Sequence, residues 1–179
     1  MQGFGIAFVV LIVVFTAMGA FFDWRWRKLP NALTVPWGVA GVLFTVVHGI
    51  AQASLAGAGK GLLFSLGGFA VGFGILWVLW LVGGGGGGDV KFVGALGAWL
   101  GFWGTLYVLV ASSLIAVGAS FLVRAWRATQ GRDKSKKTLG QGTASSAVAI
   151  PYAIPVAAAV WFVLAWQAWR GLPLPPLTV

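Results

Sequence analysis

Residues 3–28 read GFGIAFVVLIVVFTAMGAFFDWRWRK, with no charge from Gly3 to Phe22 and then Asp23, Arg25, Arg27 and Lys28 close together. A helix needs about 20 apolar residues to cross the hydrocarbon core of a bilayer, so this stretch reads as a membrane span with a charged stop. No Lys or Arg precedes the apolar run and the positive charges follow it, the reverse of a secretory signal peptide. By the positive-inside rule that order places the N-terminus outside and the Arg25/Arg27/Lys28 cluster in the cytoplasm.

The pattern recurs along the chain. A second span runs from about Leu33 to Ala51, followed by a small-residue gap to Lys60, and a third from about Gly61 to Val82. Phe92 to Val123 carries no charge and is too long for one crossing; it reads as a short helix, a tight turn near Gly101–Gly104 and a full helix. The last span covers about Val148 to Trp169. The expected fold is an all-α polytopic membrane protein of about six transmembrane helices, a single domain over residues 1–179. Its cytoplasmic loops are expected at about 23–32, 83–91 and 124–147.

Composition agrees. The chain is 59% hydrophobic and 8% charged, whereas a soluble domain carries roughly 25% charged residues. The net charge of +9 does not point to nucleic acid, because the cations sit in short gaps between apolar runs and not on one solvated face. The alternating topology puts Arg25, Arg27, Lys28, Lys91, Arg124, Arg127, Arg132, Lys134, Lys136 and Lys137 inside, against only Lys60 and Arg170 outside. Trp24, Trp26, Trp77, Trp80, Trp99, Trp103, Trp166 and Trp169 lie near the expected helix ends and read as interfacial anchors. Gly68-x-x-x-Gly72 and Gly97-x-x-x-Gly101 are spacings that let helix backbones approach closely.

Reactive side chains are few. With no Cys, no Glu, one His and three Asp, the chain lacks a disulfide frame, a thiol nucleophile and the donors of a common zinc site. No metal or cofactor is expected. His48 falls near the outer face, away from the acids, and reads as an interfacial polar tip and not as a triad base. Asp133 lies among Arg132, Lys134, Lys136 and Lys137 and reads as a solvated charge.

Asp23 and Asp89 differ from it. Asp23 ends the first helix, and Asp89 follows six glycines, Gly83 to Gly88, and opens the fourth. Each has a structural reading taken singly: Asp23 paired with Arg27, and Asp89 capping its helix. Taken together, both reach the cytoplasmic leaflet at ends of helices that a bundle can bring side by side. Two carboxyl groups sharing a site cannot both ionise cheaply, so one keeps a proton while the other stays charged. Such a pair can deprotonate a water and polarise an amide carbonyl. The glycines are not expected to continue the third helix, since each costs about 0.8–1 kcal/mol against Ala there. Their uncovered backbone is suited to pairing edge-on with an extended peptide.

Gly86-Gly87-Gly88-Asp89 resembles the Gly-x-Gly-Asp signature of intramembrane aspartyl proteases, and residues 89–101 resemble the corresponding helix of bacterial type IV prepilin peptidases. Asp23-Trp-Arg-Trp-Arg-Lys-Leu-Pro-Asn31 is similar to that family's first Asp motif, and Pro151-Tyr152 to the start of its last helix. The resemblance covers nearly the whole chain. Without Cys or an N-terminal cytoplasmic insertion, the chain looks like the short tight-adherence (Flp-pilus) type without the methylation domain. The resemblance implies one transmembrane peptidase domain in the bacterial cytoplasmic (inner) membrane, with Asp23 and Asp89 catalytic. It implies an aspartic endopeptidase that removes a short basic leader from Flp-like prepilins at the cytoplasmic face. The prepilin and the lipid bilayer are then the partners, with Gly86, Gly87, Gly88, Lys91 and Asn31 as substrate contacts.

The alternative is a small proton- or cation-coupled transporter using the same acids. Against it, no inverted repeat is visible, and neither Asp lies mid-span where a transport site would be expected.

Overall fold

In the computed structural model, residues 2–83, 85–129 and 151–171 are described, and all of their regular structure is helical. Helix α1 spans Gln2–Trp26, α2 Asn31–Leu81, α3 Gly87–Thr129 and α4 Ala153–Trp169. Four stretches are long and apolar enough to cross a membrane, Phe4–Trp26, Asn31–Gln52, Leu55–Leu81 and Gly87–Val123, and Ala153–Trp169 is a shorter apolar helix. The chain is an all-α polytopic membrane protein. Its exposed surface is itself apolar, with Leu55, Leu63, Phe121 and Leu122 each at least 70% exposed. Such surface suits hydrocarbon as the solvent.

Neither long helix is straight. Thr45 and Ser65 are twenty positions apart, about 30 Å along a rod, yet their hydroxyl oxygens hydrogen-bond at 2.6 Å. Helix α2 therefore folds back as two antiparallel arms, 31–52 and 55–81. Ser65 also donates to the Ala98 carbonyl at 2.6 Å, tying the second arm to α3. The reversal is tighter than the expected gap from Ala51 to Lys60. Ala and Gly dominate that stretch, Ala is the best helix former, and a Cβ on Gly49 would strike the Gly57 carbonyl.

Helix α3 turns at Gly101, the expected place. Gly101 has φ 68 and ψ −177, a conformation open to glycine and costly for residues with a Cβ. A Cβ there would also collide with the Phe64 ring. The first arm, 87–100, has only 14 residues, about 21 Å at 1.5 Å each, too short to cross a core of about 30 Å. It ends inside the bundle, where a bend in the backbone is tolerated because protein surrounds it. The two glycine spacings pack on one another here: a Cβ on either Gly68 or Gly97 would meet the other's carbonyl.

That short arm is the centre of the core, with every residue from Phe92 to Leu100 buried. Trp99 is therefore no interfacial anchor. It is 1% exposed, lies near Phe8, Phe44 and Trp37, and donates its indole N–H to the Trp37 carbonyl at 2.9 Å. His48, expected as an interfacial polar tip, is also buried within the protein, edge-on to Phe4 and 3.4 Å from Gln52 Nε2. Trp24, Trp26, Trp77, Trp80, Trp103, Trp166 and Trp169 are exposed.

The expected loops are shorter than drawn. Residues 23–26 belong to α1, 31–32 to α2, 87–91 to α3 and 124–129 to the end of α3. Residues 130–147 of the third loop, with Asp133 and its cations, and the expected start of the last span at Val148 lie outside the described residues.

Candidate active site

Helix α1 ends at Trp26, one turn beyond Asp23. The Arg27 N–H bonds the Asp23 carbonyl at 2.9 Å, and Arg27 itself is left-handed at φ 50, so the chain leaves the helix sharply. Pro30, extended at φ −70 and ψ 143, then starts α2; its carbonyl accepts the Leu33 and Thr34 N–H groups at 3.0 and 3.2 Å. Proline suits a helix start because it has no N–H to leave unpaired.

Across from this connection lies the end of the glycine run. Gly83 turns the chain at φ 81, but Gly87 and Gly88 form the first turn of α3 and are not free loop as expected. Glycine costs less there than in a helix interior, because the first N–H groups have no carbonyl partner anyway. Asp89 Oδ2 accepts the Gly86 N–H at 3.3 Å, and the Asp89 N–H returns to the Gly86 carbonyl at 3.0 Å. An acid in the first turn reaching back to the preceding N–H is the reciprocal half of a capping box. The expected capping role of Asp89 is thus present, and it occupies both backbone groups of Gly86.

The two segments meet. A Cβ on Gly88 would stand 3.4 Å from the Leu29 Cβ, an ordinary van der Waals contact, so the two segments lie side by side. Between them is a cavity of about 550 Å³ lined by Asp23, Arg27, Lys28, Pro30, Asn31, Gly86, Gly87, Gly88 and Asp89. Asp23 is 8% exposed, Asp89 is half-buried, and the two carboxyl groups interact electrostatically. Asp23 takes no Arg27 ion pair; its Oδ2 accepts the Ala153 N–H at 2.9 Å. Asn31 Oδ1 accepts a hydrogen bond from Lys91 Nζ at 2.9 Å. Lys91 itself borders a neighbouring apolar groove of about 420 Å³, with Val42, Leu66 and Phe69 among its walls.

Every residue marked in the sequence as a site candidate is therefore at this end of the bundle. Asp23, Asp89, Gly86, Gly87, Gly88 and Asn31 line the cavity, and Lys91 is one hydrogen bond away. Sequence reasoning missed the Ala153 N–H; the available signal was Pro151-Tyr152 just ahead of an apolar run, which marks a helix start with unpaired donors. It also read Lys28 only as an orientation charge, and Arg27 as that or as an ion-pair partner of Asp23, although both line the cavity.

Known proteins share this arrangement of sequence. The type IV leader peptidase family matches residues 8–121, which include both acids. A prepilin leader peptidase/N-methyltransferase of Xanthomonas campestris pv. campestris is 33% identical over 174 residues, covering 92% of this chain and 50% of the relative. A protein of the same description from Burkholderia pseudomallei is 35% identical over 135 residues, covering 70% of this chain and 40% of the relative. The chain thus spans about half the length, or less, of these curated relatives. No solved structure matches. With well over half of its length matched, this chain belongs to the type IV leader peptidase family.

Proposed function

We propose that the chain is a membrane-embedded aspartic endopeptidase that removes the short basic leader of Flp-like prepilins at the cytoplasmic face of the bacterial inner membrane. The observation that carries this reading is that Asp23 and Asp89, on different helices, line one polar cavity at the end of an otherwise apolar bundle. Its place at the bundle end favours a peptidase over a transporter, whose site would sit near the midplane. Arg25, Arg27, Lys28 and Lys91 share this end, and the α2 reversal near Lys60 and the α4 terminus at Arg170 are at the other. That charge asymmetry supports a cavity in the cytoplasmic leaflet, with the N-terminus outside.

The chemistry needs no covalent intermediate. Two carboxyl groups in one pocket share a proton, because ionising both is costly. The ionised member takes a proton from water as the water oxygen bonds to the scissile carbonyl carbon. The protonated member gives its hydrogen to the carbonyl oxygen. Collapse of the tetrahedral intermediate breaks the C–N bond: one of its two hydroxyls returns a proton to the ionised carboxylate, the departing amine nitrogen takes the proton of the other carboxyl group, and the pair again holds one proton. The dyad titrates as one unit throughout. Gly87 and Gly88 open α3, where N–H groups have no carbonyl four residues back; both line the cavity and suit the substrate's carbonyl oxygen. Asn31 and Lys91 suit its flanking residues.

Co-expression with an Flp-type prepilin tests the reading. A mobility shift, with a new N-terminus at the junction of leader and mature pilin, is the expected result. An unprocessed prepilin beside correctly inserted enzyme would overturn it.

A further inference from the structure

We propose that the backbone N–H of Ala153 is a positioning group for Asp23: it engages Oδ2 and leaves Oδ1 to meet the water in the cavity. The inference rests on the reading of Asp23 as one half of the dyad. Ala153 is fully buried and is the first residue of α4, so its N–H has no carbonyl partner within the helix. The nearby Ile154 and Val156 N–H groups are satisfied by the Pro151 and Tyr152 carbonyls at 3.2 and 3.3 Å. That of Ala153 goes to Asp23 across 130 positions, at 2.9 Å. Among the described residues Oδ1 has no protein partner. One oxygen is anchored and the other is available.

The anchor is itself held. Trp161 Nε1 donates to Thr16 Oγ1 at 3.0 Å, and the Tyr152 and Ser112 hydroxyls lie 3.3 Å apart. Thr16 precedes Asp23 on α1 as Trp161 follows Ala153 on α4, so the two helices run antiparallel with two hydrogen bonds along their contact. The register that presents the Ala153 N–H to the carboxyl group is set by the packed face of α4, where Ala153, Val156 and Val160 are fully buried, and the Trp161 bond adds stability to that contact. Without that donor the carboxyl plane is free to turn about its Cβ–Cγ bond, and a misplacement of about 1 Å is enough to cost about 100-fold in rate.

The test replaces Ala153 by lactic acid through stop-codon suppression, which exchanges the N–H for an ester oxygen and keeps the side chain. Ala153→Pro removes the same N–H at the first helical position, though it strains Tyr152, whose helical backbone a following proline disfavours. Trp161→Phe deletes the other α1–α4 hydrogen bond, away from the cavity. The full chain is purified in nanodiscs and prepilin cleavage is followed as kcat and KM. The expected result is a kcat about 10-fold or more below wild type for the ester, with KM within about twofold. Trp161→Phe is expected to hold kcat within about twofold while lowering thermal stability. A kcat near wild type in whichever Ala153 variant folds, or equal losses in those variants and in Trp161→Phe, would overturn the proposal. Cleavage by Asp23→Asn would instead overturn the dyad on which it rests.

Discussion

Asp23 Oδ2 accepts the Ala153 N–H at 2.9 Å, joining the end of α1 to the start of α4. The same carboxyl group lines the cavity that holds Asp89, so Asp23 serves the packing of the bundle as well as the proposed chemistry. The two roles separate by substitution. Asn keeps an acceptor oxygen, so Asp23→Asn is expected to melt close to wild type. Asp23→Ala strands a buried N–H and is expected to lose about 1–3 kcal/mol. Denaturation in detergent micelles checks this, and equal stability of the two variants would show that the hydrogen bond contributes nothing.

Asp89 makes a weaker structural contribution. Its bond to the Gly86 N–H is 3.3 Å long and exposed. Asp89→Ala is expected to cost no more than about 1 kcal/mol, as loss of a helix-terminal cap does. The same melting experiment reads it, and a loss of several kcal/mol would mark Asp89 as a structural acid first.

A shared-proton pair needs one carboxyl group ionised and the other protonated. The cleavage rate in single-turnover experiments is therefore expected to rise and then fall with pH, with both limbs belonging to the pair. A rate that climbs steadily into alkaline conditions would instead fit a hydroxide or amine base.

Lys91 reaches Asn31 at 2.9 Å between the cavity and the adjoining apolar groove. Lys91→Met removes the charge and keeps most of the stem. It is expected to raise KM about fivefold, a little under 1 kcal/mol, with kcat changed less. A kcat loss at constant KM would place Lys91 in the chemical step.

Gly101 is the turn that stops the short arm of α3. Gly101→Ala meets both a positive φ with an extended ψ, a region nearly closed to residues with a Cβ and costing about 1–3 kcal/mol, and the Phe64 ring. Less folded protein is expected in membranes, and adding Phe64→Leu should restore only the steric share. Full recovery in the double variant would mean that the backbone angle is not strained by a Cβ.

Much of this architecture was legible because bilayer thickness ties apolar length to helix number. Phe92 to Val123 could not be one span, and Gly101, where it was expected to turn, is where it does. The acids were legible because so few polar residues exist that Asp23 and Asp89 had no rivals at the same membrane depth. Contacts made by backbone were not legible. Nothing in the identity of Ala153 announces that its N–H reaches Asp23, since that depends on how α4 slides against α1. Trp99 was misjudged because a tryptophan near a helix end looks interfacial only if that end reaches the interface, and the arm carrying it stops short. The glycine run was read too simply, because helix propensity describes interiors and Gly87 and Gly88 sit in a first turn closed by Asp89.

The most direct measurement is prepilin cleavage by purified wild type, Asp23→Asn and Asp89→Asn in nanodiscs, followed by intact mass of the product. Each Asn keeps the shape and an acceptor oxygen while removing the titrating group. Loss of the leader with wild type and an unchanged substrate mass with both folded variants is the predicted result. Leader removal at an appreciable rate by either variant would contradict a two-carboxylate site.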